Sequence, residues 1–468
     1  MIRVILSLCM FWSLSVQTSE ESPFVENLEV KSNILQKSLS IKVTLPLGYN
    51  DSLHEYPVMY YLDANQNFRH ISGALDVLIR SGKVPPIIAV GIESDNRDYD
   101  FKPLFDNEEN LIKRGAVSFH DFITSELMPV IEKKYRTHDF KVLQGHSLGG
   151  LFAGFSLIKY PGDFDAYIIN SPAFWWNNNW CIREASKRFK LDSNFDSSVY
   201  FSIGSEEGVG MKNELKSFYD ALPAKAKEQK IVKHAILEGE GHMSVPLLGN
   251  YHGLAHIFQD MHLSDIKIED FSIEKFEKHE KLMTEKYGTA AKQKEESYAF
   301  LANDLLTRQD YKSALSVSGF LVNHYPKNHY NFQILAQSYE LNGQINEAIS
   351  AYKDAYRLSS SKNNGSYKPE IYLYNIKILK APITQKVLED YAGEYKSPNT
   401  SIKIRAVGGR LKGDIQGLGV FDLFPQSEKT YDLRVAPAFF EFVQNDEGKT
   451  FKLNIHQGGI TEAIKIFK

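Results

Sequence analysis

The 468-residue chain reads as an α/β protein, with a mainly parallel sheet and helices on both its faces, followed by an α-helical repeat region and a small β domain. Three observations carry this. Between Leu35 and Phe258 short apolar runs alternate with amphipathic stretches, the pattern of strands that cross over through helices. From Ile268 to Leu358 the pattern becomes helix after helix, rich in Glu, Lys and Ala. From about Leu388 to Lys468 it changes again, to short alternating runs punctuated by Gly. A single core stops growing at roughly 250 to 300 residues, so the chain divides into 30–260, 268–360 and 388–468, preceded by a signal peptide over 1–18.

The N-terminal segment is the first element. Arg3, the apolar run Val4 to Val16 and the Ser- and Glu-rich stretch from Ser19 predict a secretory signal cleaved near Val16 to Ser19. The run is short of the roughly 20 residues a bilayer span needs, and no later segment is apolar for that long. The mature chain is therefore expected to lack a transmembrane segment and to be exported, periplasmic or secreted. Of the two cysteines, Cys9 and Cys181, only the second survives cleavage, which leaves no internal disulfide.

Strands are expected at Ser40 to Pro46, Tyr56 to Leu62, Pro86 to Ile92, Phe140 to Gln144, Ala166 to Ile169, Val199 to Ile203 and Val232 to Leu237. Phe119 to Tyr135 spaces its apolar residues at three and four and predicts one helix despite Pro129; Leu148 to Lys159 predicts another. In the helical region Leu301-Ala302 recurs as Leu335-Ala336, Ala314 as Ala348 and Tyr311 as Ile345, each after the 34 residues of a tetratricopeptide repeat. Two such hairpins are predicted, with Pro326 ending the first and Gly343 turning the second. A Ser-, Asn- and Gly-containing loop from Ser359 to Tyr367 reads as a hinge. In the last region strands are expected at Ser401 to Val407, Arg410 to Asp414, Phe439 to Val443 and Thr450 to Ile455, with Asn445 to Gly448 as a hairpin connection.

Composition excludes some functions. Fifty-four Lys plus Arg against 58 Asp plus Glu leave a formal charge of −4, so no global field attracts nucleic acid. No metal-ligand cluster or phosphate loop stands out in the two later regions.

The chemistry concentrates at Gly145-His146-Ser147-Leu148-Gly149, a serine with glycines two residues away on either side, a strand pattern before it and a helix pattern after it. That context is the nucleophile elbow of an α/β-hydrolase fold. A sharp strand-to-helix turn lifts the Ser147 hydroxyl above the sheet, beside the partial positive charge of a helix N-terminus. A serine hydroxyl needs a base, and the base a carboxylate. In this fold they follow in the order acid, then His. After the strand ending at Ile203 come Glu206 and Glu207, and after the strand ending at Leu237 comes His242. His242 is the candidate base, because His146 adjoins the nucleophile and points away, and His252 and His256 fall in a helix. Either Glu206 or Glu207 fits the acid. The oxyanion hole needs two backbone N–H groups, expected from Leu148 and from Asp63-Ala64-Asn65, with Ala64 as the second donor.

The stretches Pro57 to Asp63, Gly91 to Pro103, Glu126 to Tyr135, the Ser147 elbow and Ser171 to Trp176 together resemble the esterase family of α/β hydrolases. That family holds siderophore (enterobactin-type) esterases, S-formylglutathione hydrolases, feruloyl esterases and mycolyltransferases. The resemblance covers roughly residues 30 to 260. It implies Ser147 as nucleophile, His242 as base and Glu207, slightly better than Glu206, as acid; Ala64 stands where relatives often have Gly. The stretch Leu388 to Tyr395 resembles the small β domain found after some serine hydrolases and penicillin-binding-protein relatives.

Two further features invite a substrate role. Arg97 follows a strand at the end of the sheet where the site belongs, and either pairs with an anionic or catecholate group or fixes its loop through Asp98 or Asp100. Trp175 and Trp176 either wall an aromatic or acyl pocket or pack on the following helix. The sequence thus predicts an exported serine esterase acting on a small-molecule ester, a siderophore ester among the candidates, without metal or other cofactor. A silent scaffold whose repeats bind a protein partner, and an acyltransferase using the same serine, are the alternatives.

Overall fold

The central strands are buried at every position, so both faces of one sheet are covered. The sheet is the frame of the computed structural model, which describes residues 24–106, 110–191, 195–261, 272–292, 294–360, 369–398, 400–433 and 438–467. The expected signal peptide with Cys9, and most of the expected hinge, lie outside these residues. The chain forms two compact units, residues 20–267 with 277–293, and residues 268–276 with 294–468.

The first unit runs β1 (Phe24–Ser32), β2 (Lys37–Leu45), β3 (Tyr56–Leu62), α1 (Ala64–Arg80), β4 (Ile88–Ile92), a short α2 (Arg97–Asp100), β5 (Pro103–Asp106), β6 (Asn110–Gly115), α3 (Ala116–Phe122), α4 (Met128–Lys134), β7 (Thr137–His146), α5 (Leu148–Lys159), β8 (Ala166–Asn170), α6 (Trp176–Leu191), β9 (Ser198–Gly204), α7 (Val209–Ala221), α8 (Ala224–Glu228), β10 (Val232–Leu237) and α9 (Val245–Ile257). The sheet order is β1-β2-β4-β3-β7-β8-β9-β10. β1, β2 and β4 pair antiparallel, and every pair from β4 to β10 is parallel.

Period-two alternation sorts the strand residues between two cores. Val58, Tyr60 and Leu62 of β3 join Leu151 and Phe155 of α5 and Phe218 of α7 on one face. Met59 and Tyr61 join Ile71 and Leu78 of α1 and Leu254 and Ile257 of α9 on the other. Met283 and Tyr287, from the end of α10 (Ile273–Tyr287), pack into that second core. Phe140, Phe258 and Tyr287 form an aromatic cluster there, with ring centres 4.7–5.7 Å apart.

The single helix expected from Phe119 to Tyr135 is broken into α3 and α4 by a π-helical turn over Ile123–Leu127. Pro129 has no N–H to give and its ring would crowd the carbonyl four residues back; the wider turn absorbs it at the start of α4.

The second unit opens with α11 (Glu295–Thr307), α12 (Tyr311–His324), α13 (His329–Leu341) and α14 (Ile345–Ser360), then α15 (Glu370–Lys380) and α16 (Gln385–Tyr391). Asp310 caps α12 by accepting from Ser313 N, and Asn328 caps α13 through Tyr330 N. Leu335, Ala336, Ala351, Tyr352 and Tyr372 form its helical core.

The expected four-stranded β domain is in fact a closed barrel of eight strands. These are β11 (Gly393–Lys396), β12 (Ser401–Val407), β13 (Arg410–Ile415), β14 (Gly419–Pro425), β15 (Thr430–Asp432), β16 (Phe439–Gln444), β17 (Thr450–His456) and β18 (Ile460–Ile466). Pairing of β11 with β18 closes it, and Tyr395, Leu411, Phe440, Phe442 and Leu453 fill the interior. Closure removes the strand edges that an open sheet of this length would leave.

Candidate active site

β7 delivers Ser147 to the carboxyl end of the sheet. Ser147 itself holds a positive φ of 58°, a conformation L residues adopt at a cost of about 1–3 kcal/mol. Of the two glycines flanking it, Gly145 is the one with no room for a side chain: a Cβ there would lie 2.0 Å from Gly149 O. At Gly149 the same atom would make ordinary contacts with Leu62 and Asp63, so the turn's steric demand falls on Gly145. The Ala173 N–H donates to Ser147 O at 3.0 Å and the Ser147 N–H to Asn170 O at 3.1 Å, which fastens the elbow to the loop after β8.

Ser147, His242 and Glu207 are brought together. His242 Nε2 lies 3.1 Å from Ser147 Oγ, and its Nδ1 lies 2.8 Å from Glu207 Oε2. Glu207 is buried, whereas Glu206 points to solvent. The other Glu207 oxygen accepts from Ser171 Oγ at 2.5 Å and from the Gly204 N–H at 2.9 Å. Burial pushes the Glu207 carboxyl up, but the hydrogen bonds from His242, Ser171 and Gly204 outweigh it and hold the group below its ordinary value. It is therefore a carboxylate at neutral pH, with Nδ1 of His242 as donor and Nε2 free to accept from the serine.

Leu148 and Ala64 are each the first residue of a helix, α5 and α1, where backbone N–H groups have no partner within the helix. In the loop before α1, Asp63 sits in the left-handed region with φ 53°. The Asn65 N–H is taken by Glu93 Oε2 at 2.8 Å, and Asn67 Nδ2 donates to Leu62 O at 2.7 Å. Asn65 is thus occupied, and Ala64, at the head of α1, is the donor of this loop that a helix leaves unpaired.

Arg97 pairs with neither Asp98 nor Asp100. Its Nε and Nη2 each donate at 2.9 Å to the two oxygens of Asp63, while Asp98 takes Lys102 and Asp100 takes Lys37 and Ser94 Oγ. Expectation failed here because the partner is 34 residues earlier in sequence and becomes a neighbour only through the pairing of β3 with β4. The two tryptophans separate. Trp176 donates from Nε1 to Pro103 O and carries Lys102 over its ring, whereas Trp175 is 48% exposed. After them Asn177, Asn178 and Asn179 all have positive φ, which asparagine tolerates better than most residues.

Two contributors escape the sequence reading. Ser171 is buried, at φ 43°, and bonds the carboxylate. His146 does not simply point away: its Nε2 donates to His242 O at 2.8 Å, and the two rings lie 4.7 Å apart. Nothing in the local pattern marks either, since both act on loops that arrive from other strands.

Residues 32–247 match the family model described as Putative esterase. The ferri-bacillibactin esterase BesA of Bacillus subtilis is 28% identical over 217 residues, 41% of this chain and 74% of that protein. The siderophore triacetylfusarinine C esterase of Aspergillus fumigatus is 31% identical over 173 residues, 31% of this chain and 59% of that one. A solved structure of an uncharacterised protein from Capnocytophaga ochracea matches 76% of this chain and all of its own, with a TM-score of 0.55 and 18% identity, a likeness of fold. The family match and the two relatives support the esterase family for this stretch. Among the described residues no helix is long and apolar enough to cross a membrane.

Proposed function

We infer that the chain is an exported serine esterase that cleaves carboxylic esters through an acyl-enzyme on Ser147, with a siderophore ester as substrate. The observation that carries the reading is the unbroken line from Ser147 Oγ through His242 to Glu207, at 3.1 and 2.8 Å. In the first half-reaction Oγ bonds to the ester carbonyl carbon as its proton passes to His242 Nε2, and the N–H groups of Leu148 and Ala64 receive the oxyanion. The tetrahedral species collapses by losing the alcohol, which takes the proton back from His242. Water, deprotonated by His242, then releases the acid and restores Ser147. Glu207 stays ionised throughout and supports the imidazolium. Exposed Trp175, two residues beyond the Ala173 N–H that bonds Ser147 O, is proposed as a wall for the acyl or aromatic part of the substrate. The siderophore assignment is supported by the activities for which the two relatives are named, and export by the pattern of the first 18 residues.

Labelling of the protein without residues 1–18 by a fluorophosphonate, with peptide mapping, tests the core of this reading. Label is expected on Ser147 and absent from Ser147→Ala, whose turnover of ferric and iron-free siderophore esters should fall about 10⁴-fold or more. A folded, unlabelled protein would rule out the serine mechanism, and turnover of simple acyl esters alone would rule out the siderophore assignment. Release of acyl product only when an added alcohol is present would replace hydrolysis by acyl transfer.

A further inference from the structure

The Asp63 carboxylate stands in an awkward place. A methyl added at Gly149 would lie 3.5 Å from Asp63 Oδ2 and 3.4 Å from Leu62 Cδ1, so this buried acid borders the start of α5, where the proposed oxyanion forms on the Leu148 N–H. A bare negative charge there opposes the charge that develops in the transition state. Its partner is the planar fork of Arg97, bonded through two nitrogens to both oxygens. The short helix α2 that carries Arg97 is fastened by the Asp98–Lys102 pair and by Asp100, which is buried and held by Lys37 and Ser94, and the guanidinium lies over the Phe101 ring, 5.7 Å from its centre. The loop that Asp63 begins is further fastened by Glu93 and Asn67.

We propose that Arg97 is a positioning residue that cancels the Asp63 charge and locks the left-handed Asp63 turn, so that the Ala64 N–H is aimed at the oxyanion, and that it does not read an anionic group of the substrate. The inference rests on the esterase reading for its kinetic consequence but not for the clamp itself. Nε and one N–H of Nη2 are committed to Asp63, which fixes the plane of the guanidinium, and the carboxylates of Glu93 and Asp63 make the loop a poor landing place for an anion. Removing the guanidinium leaves a buried carboxylate facing the oxyanion. Removing both groups leaves none, so the second substitution should repair part of the damage done by the first.

The test compares wild type, Arg97→Ala, Arg97→Lys, Asp63→Asn and the double variant Arg97→Ala/Asp63→Asn. Each is hydrolysed against 4-nitrophenyl acetate and against its ring-carboxylated, anionic analogue, with thermal melting to verify folding and amide hydrogen exchange of the peptide spanning 62–67. Arg97→Ala should lower kcat about 30- to 100-fold on both esters with little change in KM. Arg97→Lys should recover part of the loss, the double variant should be faster than Arg97→Ala, and exchange in 62–67 should rise. A KM effect confined to the anionic ester, with tighter binding of that ester by Asp63→Asn, would overturn the proposal, as would unchanged exchange in 62–67. Should Arg97→Ala not fold, Arg97→Lys and the isosteric Asp63→Asn carry the same comparison. If wild type hydrolyses neither ester while exchange still rises in the variants, the esterase reading fails and the clamp stands.

Discussion

His146 and His242 face each other across 4.7 Å, and their surroundings divide the work between them. The His242 side chain is 35% exposed and lies between a carboxylate and a hydroxyl. His146 is buried; that burial, and then the nearby His242, push its ring down to about 4. It is neutral at pH 7, and because a carbonyl can only accept, Nε2 carries its hydrogen. His146→Ala should loosen the loop that bears His242 and lower kcat roughly tenfold with little change in KM, and His146→Gln, which keeps an N–H donor, should recover part of it; steady-state kinetics decides. Burial also pushes His120 down to about 4. Both groups take up a proton more readily when unfolded. The stability they contribute is therefore complete above the ordinary value of 6.5 and is lost as pH falls from there toward 4, by up to roughly 3 kcal/mol each. Urea midpoints measured at pH 7, 5.5 and 4.5 should decline, less so in His120→Phe; a flat series would contradict the assignment. Ser147 and His242 are legible in the sequence because chain order and a glycine frame mark them. The choice between Glu206 and Glu207 is not, since adjacent residues of one turn face opposite ways and only the folded loop after β9 selects. On that geometry Glu207→Gln should cost about 10²- to 10⁴-fold in kcat and Glu206→Gln little.

At the scale of elements, the elbow joining β7 to α5 leaves no room for a side chain at Gly145. Gly145→Ala would drive a methyl into the Gly149 carbonyl, and the backbone must shift to admit it. A loss of about 1–3 kcal/mol is expected, together with loss of fluorophosphonate labelling, whereas Gly149→Ala meets only ordinary contacts and should cost less; melting temperatures of the two variants check this. Strands buried on both faces, such as β3 and β4, are readable end to end from composition. The edge strand β1 is not, because its sequence FVENLEVKS buries only Val30 and Ser32 and so carries little apolar signal. β18 fails for the same reason, with Ala463 alone buried along ITEAIKI. Register with a neighbour, rather than local pattern, makes these segments strands.

For the whole molecule, the second core of the sheet is completed from beyond α9. Met283, Tyr287 and Ala291 are buried in it, and Tyr287 donates to Asp260 Oδ1 at 2.6 Å. A chain ended at residue 261 should lose these contacts and about 3–5 kcal/mol for Tyr287 alone, while one ended at 292 retains them; comparing their thermal midpoints tests whether α10 is part of the fold that carries the site. The other sheet face holds Cys181, fully buried in α6 with its thiol pushed up by that burial. A sulfhydryl so placed is chemically silent until the layer beneath the tryptophan loop parts. In a Cys9→Ser background, the rate at which a maleimide captures it becomes a stopwatch for the opening of that layer, readable in any ligand or buffer without engineering a reporter into the layer.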